Sequence, residues 1–133
     1  MQKELTCMLI DNDEDDHEIF GLAMEELPGV HCQYFHSSPE ALRSLEQTQS
    51  VPHFIFIDMN MPRLNGIECV QAIRSQPHLQ RAGIYLYSTH ADPASVELAL
   101  QLGANGYLAK PAQFHLLVQE LRSIIDSHTA KHV

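Results

Sequence analysis

Five short apolar runs alternate with longer segments of helical period, and few folds accommodate that alternation. Leu5 to Ile10, Val30 to Phe35, His53 to Ile57, Ile84 to Tyr87 and Tyr107 to Ala109 read as strands. The run Phe54-Ile55-Phe56-Ile57 is continuous rather than alternating, as expected of a strand buried on both faces. Between the runs lie helical stripes: Phe20, Ala23, Met24 and Leu27; Leu42 and Leu45; Ile67, Val70 and Ile73; Val96, Ala99 and Leu100. Phe114, Leu117, Leu121 and Ile124 stripe the last one. Start and stop signals agree with this division. Ser38-Pro39 and Asp92-Pro93 each read as a cap followed by proline in the first turn, and Gly29 and Gly103 follow helical segments as stops. Strand and helix alternating five times predicts an α/β fold, a parallel sheet with helices on both faces.

A chain of 133 residues fits one domain, and 44% hydrophobic residues suffice for a core without disulfides or a structural metal. The net charge of −9 argues against a nucleic-acid surface, which needs clustered Lys and Arg. No apolar stretch approaches the roughly 20 residues that span a bilayer, so membrane insertion is not expected. The start Met1-Gln2-Lys3-Glu4 does not resemble a signal peptide, and the chain reads as cytoplasmic. Cys7, Cys32 and Cys69 are widely spaced in apolar contexts and read as buried free thiols. The expected boundaries are a domain over 1–128 and a short loose tail over 129–133.

Open parallel sheets bind ligands at the carboxyl ends of their strands. Asp11, Asn12 and Asp13 follow the first strand, Asp58 the third, Ser88 and Thr89 the fourth, and Lys110 the fifth. The second strand, ending near His36, offers nothing comparable. Asp58 alone could be a turn residue, and Glu14 to Asp16 read as a solvated face complementing a helix dipole. Together, however, the acids suit a hard cation such as Mg²⁺, the lysine suits an anion, and a carboxylate can itself be the nucleophile. That combination is the chemistry of phosphoryl transfer.

Asp58-Met59-Asn60-Met61-Pro62-Arg63-Leu64-Asn65-Gly66 resembles the phosphorylation-site loop of the receiver domain of bacterial response regulators. Leu9-Ile10-Asp11-Asn12-Asp13 resembles that family's acidic pair, Ser88 its hydroxyl position, Lys110-Pro111 its lysine with a typically cis proline, and Tyr107 its aromatic switch. Separations of 47 residues from Asp11 to Asp58, 30 to Ser88 and 22 to Lys110 are in keeping with it. The resemblance implies a flavodoxin-like doubly wound (βα)5 fold of strand order 2-1-3-4-5. It implies Asp58 as phosphoacceptor, and Mg²⁺ or Mn²⁺ held by Asp11, Asn12, Asp58 and the Asn60 carbonyl. Lys110 and Ser88 would meet the phosphate, and Ser88 with Tyr107 would switch. The implied donor is a sensor histidine kinase or phosphotransfer protein, and the implied readout is a downstream protein docked on the fourth helix, fifth strand and fifth helix. The chain then reads as a stand-alone switch that assists its own phosphorylation and dephosphorylation, not as a turnover enzyme.

One departure stands out. Asn12 occupies the position of the family's second acid, and an amide oxygen brings no charge, so Mg²⁺ affinity should fall. Alternation along an extended chain should turn Asp13 away from where Asn12 points. A receiver-like interaction module with weak or no phosphorylation is therefore the alternative. Asp11-x-Asp13 also resembles the haloacid-dehalogenase phosphatase signature, but the paired late acids that family needs are missing after Glu68.

Overall fold

The computed structural model describes residues 4–61, 63–90 and 92–131, excepting the side chains of 128–131. Met1 to Lys3, which do not resemble a signal peptide in sequence, Pro62 of the loop motif and the last two residues of the expected tail lie outside the described residues. The element order is β1 (Leu5–Ile10), α1 (Glu14–Glu25), β2 (Val30–Phe35), α2 (Ser38–Gln47), β3 (Phe54–Ile57), α3 (Gly66–Arg74), a 3-10 turn (Pro77–Leu79), β4 (Gly83–Ser88), α4 (Pro93–Gln101), β5 (Gly106–Ala109) and α5 (Phe114–Lys131). All four strand pairings are parallel and the order is β2-β1-β3-β4-β5, the doubly wound arrangement expected from the sequence.

Side-chain alternation along the strands divides the core in two. Met8, Ile10, Ile55, Ile57, Ile84 and Leu86 pack with Ala41 and Leu45 of α2, Val70 and Ile73 of α3, and Ala99 of α4. Cys7, Leu9, Phe54, Phe56 and Tyr87 face the other way, onto Phe20, Ala23 and Met24 of α1 and Leu117 and Leu121 of α5. β3 is buried at every position because both layers cover it. Among the described residues no helix is long and apolar enough to cross a membrane.

Several boundaries differ from the sequence expectation, each for a local reason. Asp13 caps α1, its carboxylate accepting from Asp15 N–H at 2.8 Å. Ser37, not Ser38, caps α2 by accepting from Glu40 N–H. Ser38 is fully buried, and its hydroxyl donates to the Leu64 carbonyl at 3.0 Å, tying α2 to the loop after β3. Asn65 and Glu68 form a reciprocal capping box at the start of α3. α5 continues to Lys131, so the stretch from Thr129, expected to be loose, is helical as far as that residue.

Candidate functional site

Strand register assembles the site before any side chain is considered. Ile10 is the register partner of Ile57, so Asp11 and Asp58 leave neighbouring strands side by side. The Asp58 N–H extends the pairing by donating to the Ile10 carbonyl at 2.9 Å. On the other side Ser88 ends β4 in register with Ala109, and Lys110 follows, its N–H donating to the Ser88 carbonyl at 2.9 Å. Asp11, Asp58 and Ser88 are 0%, 6% and 1% exposed. Asp58 and Ser88 border an open polar cleft of about 350 Å³ that Asn12, Asn60, Thr89, His90 and Lys110 also line, and Asp11 reaches it through Lys110.

The Lys110 ammonium is the electrostatic centre. Its Nζ lies 2.5 Å from Asp16 Oδ2, 3.0 Å from Asp11 Oδ2 and 3.7 Å from Asp58 Oδ2. Burial alone would push this lysine down; hydrogen bonds to Asp16 and Asp11 and the charges of Asp11 and Asp58 outweigh it and hold the ammonium above its ordinary value. Burial pushes the Asp11 carboxyl up to about 7, and the Asp58 charge adds to that, while the Asp13 N–H and Lys110 oppose it. Three carboxylates around one ammonium leave the pocket with surplus negative charge. Asp11 Oδ2 is buried and faces the Lys110 ammonium at 3.0 Å, a charge-assisted contact that leaves lone-pair capacity unused. Surplus charge and an unsaturated oxygen both favour a cation.

The loop after β3 is held by local bonds. Asp58 Oδ1 accepts from Asn60 N–H at 3.2 Å, and Gly66 N–H donates to the Met59 carbonyl. Arg63 has φ +71°, a left-handed conformation that costs a non-glycine residue of order 1 kcal/mol. Gly66 has no room for a side chain, since a Cβ would lie 2.7 Å from Met59 Cα and 2.8 Å from the Asp58 carbonyl oxygen. This glycine is what lets α3 start directly against the loop.

The response regulator receiver domain model matches residues 7–122. The chain belongs to that family. Among curated relatives, the probable chemotaxis protein CheY of Rhizobium etli is 34% identical over 80 residues, covering 60% of this chain and 59% of that protein. The chain spans only 10–59% of the length of eight curated relatives that it matches. Among solved structures, the phosphorylated cyanobacterial phytochrome response regulator RcpA superposes with a TM-score of 0.82 at 24% identity, covering 91% of each chain. Chemotaxis protein CheY4 of Vibrio cholerae gives 0.79 at 22% identity, covering 90% of this chain and 98% of that one. At these identities the two structures establish the receiver fold, and the family match displaces the haloacid-dehalogenase reading.

Seen as a receiver, the chain departs from its sequence reading at several points. Asp16 is not a solvated face residue but the nearest partner of Lys110; on a helix the Cα–Cβ bond leans toward the N-terminus, which carries a first-turn carboxylate back over the rim. Asp13 lines the same cleft as Asn12 because β1 has ended and strand alternation no longer applies, but its carboxylate is occupied as a helix cap. The Ser88 hydroxyl donates to the His90 carbonyl at 3.1 Å, within its own loop. Tyr107 is half-buried against the α2–α4 layer, with its hydroxyl donating to the Ser88 carbonyl at 3.0 Å, so the ring already faces inward. No cis peptide bond occurs among the described residues, in contrast to the cis proline implied after Lys110; the two X–Pro isomers differ by only about 0.5–1 kcal/mol, so context decides. The end of β2 contributes nothing to the lining of this cleft; there His36 Nε2 lies 2.8 Å from Glu14, and its ring stacks on His17.

Proposed function

We propose that this receiver accepts a phosphoryl group on Asp58 from a histidine kinase or phosphotransfer protein in the cytoplasm and passes the signal to a partner by a shift in conformation. The observation that carries this reading is the convergence of the Asp58 carboxylate and the Lys110 ammonium, 3.7 Å apart, at the mouth of the open cleft. Asp58 would attack phosphorus in line with the donor nitrogen; the P–N bond breaks as the acyl-phosphate O–P bond forms. Lys110 is placed to neutralise charge on the phosphoryl oxygens, and hydrolysis of the aspartyl phosphate would reset the protein. Such a device assists its own reaction and is not an enzyme in the turnover sense.

The donor set fits a hard divalent cation, Mg²⁺ or Mn²⁺. Oxygen donors dominate the cleft, the pocket carries surplus negative charge, and the buried Asp11 Oδ2 keeps lone-pair capacity beyond its contact with Lys110. Asp11, Asp58, the Asn12 amide oxygen and the Asn60 carbonyl would hold it, and it would supply positive charge for the phosphoryl oxygens.

For the partner, the family resemblance implies the face of α4, β5 and α5; exposed apolar side chains occur on α4 (Leu98, Leu100) and α5 (Phe114, Leu116), as they also do on α1 (Ile19, Leu22). Asn12, exposed at the rim where a second carboxylate would add charge, supports a second reading: a receiver that binds partners without phosphate. One experiment separates the two. Incubated with Mg²⁺ and a small phosphodonor, the protein should gain one acid- and base-labile phosphate by intact mass, and Asp58→Ala should gain none. Equal incorporation by that variant would refute the assignment to Asp58, and none by either protein would favour the phosphate-independent module.

A further inference from the structure

Cys7 and Cys32 are 25 positions apart in the sequence, and nothing in their local context links them. Parallel pairing of β1 with the edge strand β2 makes them direct register partners. Both side chains face the α1–α5 layer, Cys7 at 2% exposure and Cys32 half-buried beside it. Adjacent strands run about 4.8 Å apart, inside the Cα separation of about 4.4–6.8 Å that a disulfide requires. Cys32 beside it, together with burial, pushes the Cys7 thiol far up. Cys7 Sγ also reaches Met24 Sδ at 3.8 Å, and Cys32 Sγ reaches the Gln33 carbonyl at 3.5 Å. Cys69 lies fully buried in the opposite core layer.

We propose that Cys7 and Cys32 form a cross-strand dithiol that closes to an intramolecular disulfide by exchange with a low-molecular-weight disulfide such as oxidised glutathione. The geometry sets the order of events. Cys32 is the accessible thiol on the edge strand, so its thiolate attacks first; a Cys32–glutathione bond forms, the glutathione S–S bond breaks, and one glutathione thiolate leaves. Cys7 then attacks the Cys32 sulfur, its proton goes to the departing second glutathione thiolate, and the cross-strand bond is complete. Two thiols are oxidised and one glutathione disulfide is reduced to two glutathione molecules. The product staples the edge strand to β1, whose far end carries Asp11.

The test treats the native, full chain with oxidised glutathione and reads intact mass, titratable thiols and the non-reducing peptide map. Wild type should lose two hydrogens and two of its three thiols, yield one cross-linked peptide pair holding Cys7 and Cys32, and recover on reduction with dithiothreitol. Cys7→Ser should stop at a glutathione adduct on Cys32, while Cys32→Ser should keep both remaining thiols. Circular dichroism melts establish that each variant is folded, and the wild-type peptide map decides without either variant. A wild type that stays reduced, halts at the Cys32 adduct, or links through Cys69 or between chains would overturn the proposal.

Discussion

Replacing Lys110 with methionine removes the one ammonium among Asp11, Asp16 and Asp58 while keeping most of the side-chain volume. Breaking a buried ion pair from one side costs about 3–5 kcal/mol, because the remaining charge is left uncompensated. The cleft is open and the Lys110 side chain is 14% exposed, so water screens part of that and about 2–3 kcal/mol is expected. Lys110 is held above its ordinary value, so its contribution is fully present below the unfolded lysine value of about 10.4 and is lost only as pH rises through the higher folded value. At the acid end the attraction disappears as the carboxylates take up protons. Asp11, raised to about 7, is the first in line. In wild type the same raised value means that Asp11 stabilises the fold at low pH and that this contribution fades as pH climbs from about 4 through 7. The cost of Lys110→Met should therefore be largest near pH 8 and shrink steadily toward about pH 4.5. Urea denaturation followed by circular dichroism, in a chelator at both pH values, would show the midpoint lowered by about 1.5 M at the upper pH. Equal stability of the two proteins near pH 8, or a difference that does not change with pH, would refute the electrostatic account of this pocket.

Gly66→Ala places a methyl against the backbone of Met59 and Asp58, which have no flexible end to move; about 2 kcal/mol and a melting temperature lower by about 7 °C are expected in a calorimetric scan. Asn12→Asp should tighten Mg²⁺ binding roughly tenfold in a metal titration, since it adds a carboxylate beside Asp11 and Asp58; unchanged affinity would put Asn12 outside the coordination sphere. Ser88→Ala should leave phosphate incorporation on Asp58 possible while weakening the response of the Tyr107 ring, whose hydroxyl holds the Ser88 carbonyl; NMR of that ring with and without a phosphate mimic reads the effect. Identical ring environments in wild type with and without the mimic would remove Tyr107 from the switch.

Much of this molecule is written locally in the chain. The five apolar runs and their intervening stripes are hydrophobic periodicity, a property of neighbours in sequence, and they foretold the parallel sheet. Asp58 and Lys110 could be singled out because each follows a strand directly, and strand ends are where open sheets gather polar groups. What the sequence could not supply is which separate segments meet. Asp16 reads as a dipole-complementing acid until α1 is laid over the rim, where it becomes the partner of a lysine 94 residues away. Ser38 reads as a cap until the Leu64 carbonyl is found above it, and Cys7 and Cys32 read as unrelated core thiols until β1 and β2 pair. The inward ring of Tyr107 was likewise decided by a carbonyl on the neighbouring strand. Periodicity and strand-end position are fixed by bonds along the chain. Partnership across the sheet depends on register and on the angle at which a helix crosses it, and those are set only when the two core layers pack.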